Sequence, residues 1–169
     1  MSNTITVIQK AFISNAHWQI LLTKHPLSEP GHTLWDFPGD GLEYAQSLRE
    51  NLVKNVTEQT GFNITTISIP LNVTTFLDLA NRSNQIVRIV YLCLAQGAPL
   101  QNKQMIWIDP AQYNHYAFPD EGYNKAFQNY LSHSKLASEE FLGQGILEHT
   151  TEYLRQKPPL PFPNGNSID

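Results

Sequence analysis

Chemistry in this chain is carried by few residues. The six histidines, His17, His25, His32, His115, His133 and His149, are scattered, and no two stand at the i,i+4 spacing that would let one helix face hold a transition metal. The single cysteine, Cys93, sits inside Ile86-Val87-Arg88-Ile89-Val90-Tyr91-Leu92-Cys93-Leu94 with no histidine near it in sequence. It therefore reads as a buried core thiol, and no intramolecular disulfide or cysteine zinc cluster is available. Asp36 and Asp40 flank the turn Phe37-Pro38-Gly39 and could offer oxygen ligands to a hard cation. Asp120 and Glu121 follow Pro119, where acidic side chains complement a helix dipole. Single cations such as Lys24 or Arg88 could meet a phosphate locally.

These residues must be positioned by elements that the pattern of apolar residues outlines. Ile5 to Ile13 and Trp18 to Thr23 are strand-like around Ser14-Asn15-Ala16-His17, and predict a β-hairpin. A Pro- and Gly-bearing loop from Lys24 to Thr33 leads to a strand end at Leu34 to Phe37, then a turn. Ala45 to Thr60 lacks Gly and Pro, and Ala45, Leu48, Leu52 and Val56 recur at helical spacing, so a helix is predicted there with Gly61 closing it. Ile64 to Ile69, Asn72 to Leu77, Gln85 to Ala95 and Met105 to Ile108 read as further strands. Pro119 to Ser132 reads as helix. Leu136 to Arg155 predicts a second amphipathic helix, bent near Gly143 and Gly145, which could cap the domain or pair two subunits. Pro158 to Asn166 is a proline-rich tail.

The 169 residues, with 3 Trp, 7 Tyr and 8 Phe, are enough for one hydrophobic core and too few for two ordinary domains. A net charge of −4 disfavours a nucleic-acid polymer as partner, because phosphate backbones are bound through clustered cations. Residues 1–9 lack a signal-peptide pattern, and no apolar stretch is long enough to span a membrane. The expectation is a cytoplasmic protein without a membrane partner, in which the Asn-x-Ser/Thr sequences at Asn55, Asn63, Asn72 and Asn81 are not glycosylated.

The run Leu34-Trp35-Asp36-Phe37-Pro38-Gly39-Asp40-Gly41-Leu42-Glu43, leading into a helix that ends Glu58-Gln59-Thr60-Gly61-Phe62, resembles the Nudix (MutT-like) hydrolase family. The family box reads G-x5-E-x7-R-E-U-x-E-E-x-G-U, with U a bulky aliphatic residue, and usually follows a W-x-x-P-G strand end. Trp35, Pro38 and Gly39 fit that end. Aligned without gaps from Gly61 and Phe62, the E-E pair falls on Glu58 and Gln59 and the R-E pair on Lys54 and Asn55. The earlier glutamate falls on Gln46 and the first glycine on Asp40. Glu58, Glu43 and Gly61 survive, while three carboxylates have become amides.

The resemblance implies an α+β fold, an α/β/α sandwich with a mixed β-sheet between helices. Residues 1–133 would form the Nudix-like domain, 134–157 a helical extension and 158–169 the tail. It implies hydrolysis of a nucleoside diphosphate linked to another moiety, with Mg²⁺ or Mn²⁺ held by Gly39, Glu43 and Glu58. Asn55, Glu58 and Gln59 would face the reacting centre, and Glu121 would be a base from outside the box. An amide oxygen brings no negative charge and takes no proton from water, so weak metal binding and a degenerate box are expected. Lys24 and Lys54 would meet substrate phosphates, Lys54 also pairing with Glu50 or Glu58 at i,i+4; Glu50 otherwise reads as a solvated surface charge. Trp18, Trp35 and Trp107 read first as core residues, with one of them, or Phe37 or Tyr44, the alternative for stacking on a base. Three functions stay open: a metal-dependent hydrolase, a silent nucleotide-binding module, and a dimeric interaction protein.

Overall fold

Alternation along the first strand decides the architecture. The computed structural model describes the backbone of residues 3–101 and 103–143, with side chains through residue 134. β1 (Thr4–Ser14) places Ala11 and Ile13 in one buried cluster with Leu21, Leu52, Val56 and Cys93. Phe12 points the other way, into a cluster with Ile20, Leu22, Phe37 and Phe127. Neighbouring strand residues face opposite sides, so one sheet divides two cores. Helix α1 (Leu48–Thr60) covers the first core and helix α2 (Glu121–Gly143) the second. This is the expected sandwich.

The remaining strands are β2 (Ile20–Lys24), β3 (Trp35–Asp36), β4 (Phe62–Leu77), β5 (Asn84–Gly97) and β6 (Met105–Ile108). Their order is β3-β2-β1-β5-β4, with β6 also on β2. β1 runs parallel to β5 from the pair Thr4↔Asn84 to Ser14↔Leu94; the other pairings are antiparallel, which makes the sheet mixed. The second core is aromatic. Phe12 lies 5.2 Å from Phe37, 5.0 Å from Phe127 and 4.9 Å from Tyr130 between ring centroids.

Several elements depart from expectation for local reasons. α1 begins at Leu48, not Ala45, because Ala45 has a left-handed φ of 62° and Ser47 forms the cap. The Ser47 hydroxyl accepts the Glu50 N–H at 3.2 Å and Glu50 accepts the Ser47 N–H at 3.3 Å, so Glu50 is a capping residue as well as an exposed charge. Gly61 ends the helix at φ 82°, as predicted. The segments 64–69 and 72–77 are one strand, with register shifts on both sides of Pro70. β4 is the last strand in the order, where a proline and a bulge are tolerated. Trp18 lies half-buried in the hairpin turn at φ 63°, outside both cores.

α2 passes without a break through position 134, where a separate extension was expected to start. The bend expected near Gly143 and Gly145 falls at the end of α2 and beyond, and residues 144–169, with the proline-rich tail, lie outside the described residues. Among the described residues no helix is long and apolar enough to cross a membrane.

Cys93 is fully buried, its Sγ 3.5 Å from the Tyr91 carbonyl, and burial pushes its thiol far above the range of a free cysteine. The native chain is expected to resist a disulfide-exchange thiol reagent and to react at the rate of unfolding. Prompt native-state labelling would show that the sheet opens locally at β5.

Candidate functional site

The turn after β3 is pressed against β1. Ala11 N–H donates to Pro38 O at 2.8 Å, Gln9 N–H to Asp40 O at 3.0 Å and Leu42 N–H to Val7 O at 2.7 Å. Gly39 adopts φ 131°, and a Cβ there would collide with the Gln9 carbonyl oxygen. Only glycine suits both demands.

The last turn of α1 reaches this glycine. Gln59 Oε1 accepts the Gly39 N–H at 2.8 Å and Gln59 Nε2 donates to Gly39 O at 3.2 Å. The same carbonyl receives the Lys10 ammonium at 3.1 Å. Lys10 also pairs with Asp36 at 2.8 Å, the side chains being 12% and 9% exposed. The second Asp36 oxygen accepts the Tyr123 hydroxyl at 2.7 Å. Burial first, and then the Asp36 charge, push that phenol well above its usual range and keep it a donor.

The front of α1 is held by Asn51, which is wholly buried. Its Nδ2 donates to Gln9 at 2.9 Å and to Gly41 O at 3.1 Å, while its Oδ1 accepts the Glu43 N–H at 3.1 Å. Glu43 is thereby placed beside Lys54, at 2.9 and 3.1 Å, and accepts from Gln46 at 2.8 Å. The Glu43 hydrogen bond and charge push the Lys54 ammonium upward. Lys54 thus pairs with Glu43 and not, as its spacing suggested, with Glu50 or Glu58. Glu58 is exposed and has no hydrogen bond among the described residues. Asn55 is buried, and its amide nitrogen has no hydrogen-bond partner among the described residues. An orphan donor suits an acceptor atom, not a cation.

The other predicted side chains make no hydrogen bond to Gly39, Asp36 or Gln59 among the described residues. Glu121 is exposed in the first turn of α2, on the opposite face of the sheet from α1. Its neighbour Asp120 forks onto Arg88 at 2.8 and 2.6 Å and accepts the Gly122 N–H at 2.8 Å. Burial opposes ionisation of Asp120, yet the Arg88 hydrogen bonds and charge outweigh it and hold the carboxyl below its usual range. Arg88, considered above for a phosphate, is instead buried in this pair, with its guanidinium 4.4 Å from the Tyr123 ring centroid. Phe37 is fully buried between Phe12, Tyr123 and Phe127, so its ring has no face left for a base. Lys24 is exposed at the end of β2, and Tyr44 is fully exposed in the loop before α1. Trp35 and Trp107 pack half-buried against the two cores.

Lys10 and Tyr123 were not singled out from the sequence. A lysine inside the apolar run of β1 was the available signal, since a charge there must find a partner when the strand is central.

A divalent ion needs several oxygens carrying negative charge. Here Gly39 O is taken by two N–H donors, Asp36 by Lys10 and Tyr123, and Glu43 by Lys54 and Gln46. Asp40 spends an oxygen on the Gly41 N–H at 2.8 Å. Among the described residues no group of three His, Cys, Asp or Glu side chains could hold a metal ion. In this arrangement the residues do not fit a divalent cation.

The NUDIX domain family model matches residues 6–128 of the chain. No curated protein shows a significant match to it. Among solved structures, the MutT protein of Methanosarcina mazei Go1 superposes with a TM-score of 0.60 at 17% identity, over 80% of this chain and 99% of that one. A UDP-X diphosphatase superposes with a TM-score of 0.60 at 22% identity, over 79% and 66%. An ADP-ribose pyrophosphatase of Streptococcus suis gives a TM-score of 0.53 at 18% identity, over 73% and 90%. At such identities the superpositions speak for the fold alone, whereas the family model covers well over half the sequence, including the turn and helix described above. On that match, the chain belongs to the Nudix family.

Proposed function

We propose that this Nudix-family chain binds a small nucleotide-like ligand and that its metal-dependent hydrolysis is weak or lost. The observation that supports this most is the state of the carboxylates on α1 and the loop before it. Glu58 alone stands exposed without a hydrogen bond where the family box places its acids, while Glu43 is engaged by Lys54 and Gln46. Positions 55 and 59 hold amides, one buried and one bonded to Gly39. At about 4 Å and an effective dielectric near 20, each missing charge withdraws roughly 4 kcal/mol of attraction for an adjacent unit charge. Two such losses leave one free glutamate where a divalent ion needs several anionic oxygens.

The ligand class follows from the family and its structural relatives, whose names include a UDP-X diphosphatase and an ADP-ribose pyrophosphatase. A nucleoside diphosphate linked to another moiety is the proposed class. Lys24, exposed at the end of β2, is the cation proposed for its phosphates, since Lys54 would first have to leave Glu43.

Equilibrium dialysis against ADP-ribose and a UDP-sugar, with Mg²⁺ or Mn²⁺ present and the ligand analysed afterwards by mass spectrometry, tests the reading. The expected result is retention of at least one ligand, recovered intact. Recovery as mononucleotide would overturn the loss of hydrolysis, and retention of neither ligand would overturn the binding role.

A further inference from the structure

A carbonyl oxygen offers two lone pairs, and both of Gly39's are in use. Lys10 Nζ takes one at 3.1 Å and Gln59 Nε2 the other at 3.2 Å. The lysine is not a loose surface cation. It projects from β1, is 12% exposed, and is balanced by Asp36 at 2.8 Å. Asp36 is fixed in turn by the Tyr123 hydroxyl, from α2. A positive charge built into the protein is therefore seated between a buried carboxylate and the carbonyl of the turn. The Gln59 side-chain amide ties α1 to the same residue, satisfying the Gly39 N–H as well as its oxygen.

We infer that Lys10 is the resident cation of this turn, occupying with Gln59 the Gly39 carbonyl that a divalent ion would otherwise use. The inference rests on the reading of α1 given above and goes beyond it. Glutamates at positions 55 and 59 would restore negative charge, and removal of the Gln59 amide would free one lone pair. Lys10 would still hold the other, and its ammonium would repel an incoming dication from close range. Restored carboxylates alone therefore leave metal binding weak, and Lys10 must be neutralised as well. A second consequence concerns stability: the turn is organised by side chains, so folding is indifferent to added metal.

The test is Mn²⁺ binding by calorimetry on the full chain, in the wild type, Asn55→Glu/Gln59→Glu, and that pair combined with Lys10→Gln. Lys10→Gln keeps a neutral donor for Asp36, and circular dichroism melts report whether each variant folds. The triple variant is expected to bind about tenfold more tightly than the pair, or better. Equal affinities for the pair and the triple variant would overturn the role of Lys10 while leaving the reading of α1 intact. Tight binding by the wild type would overturn that reading itself. Should the triple variant fail to fold, wild-type melting decides: no shift between chelator and millimolar Mn²⁺ is expected, and a rise of several degrees with Mn²⁺ would overturn the inference.

Discussion

Asp120→Ala is expected to destabilise the chain by about 3 kcal/mol, and Arg88→Met by clearly less. The asymmetry follows from exposure: the Arg88 side chain is 5% exposed and that of Asp120 43%. Without Asp120 the guanidinium stays buried against the Tyr123 and Phe76 rings with no carboxylate, and its Nε already lacks a partner among the described residues. Without Arg88 the carboxylate keeps the Gly122 N–H and turns to water. Urea unfolding at neutral pH measures both, and the reverse order would show that the pair is not the anchor between β5 and α2.

The same pair sets a pH dependence. A carboxyl held below its usual range contributes stability that is complete above the unfolded value of about 3.9 and is lost as pH falls through the lower folded value. Asp120→Ala should remove that part of the acid-side loss.

Gly39→Ala is expected to cost about 3 kcal/mol or more, enough to leave the chain marginal. Part of that comes from φ 131°, and the larger part from a methyl directed at the Gln9 carbonyl in β1. Gly31→Ala separates the two contributions. Gly31 also has a left-handed φ, 82°, but nothing lies within 4 Å of its added Cβ, so only about 1–2 kcal/mol is expected. Thermal melts of the two variants compare them. Equal losses would mean that the turn can retreat from β1, and that the contacts of Gln59 and Lys10 on Gly39 are not rigidly held.

What could be read from the sequence was local. The spacing of Leu48, Leu52 and Val56 located α1, and Gly61 marked its end, because both signals belong to the helix itself. Its start was misread at Ala45, a good helix former whose backbone is left-handed in the loop before α1, although Ser47 and Glu50 already spelled the capping box. The alternating runs announced strands, yet not that β1 would lie parallel to β5 in the middle of the sheet. That order brings together residues far apart in sequence: Gln59 with Gly39, Lys10 with Asp36, Arg88 with Asp120. No periodicity encodes such pairs. The amides at 55 and 59 were legible, whereas the closure of the Gly39 carbonyl was not. Phe37 was weighed as a stacking surface for the same reason: an aromatic residue beside a turn does not disclose which side of the sheet receives it.

As proposed, the carboxylates left on α1 support hydrolysis weakly or not at all. Product release from nucleoside triphosphates, nucleotide sugars and ADP-ribose, at saturating Mg²⁺ and Mn²⁺, tests it most directly when wild type is compared with Glu58→Gln. The expected result is a rate at or near background for both proteins on every substrate. Efficient turnover by the wild type that Glu58→Gln abolishes would contradict the proposal.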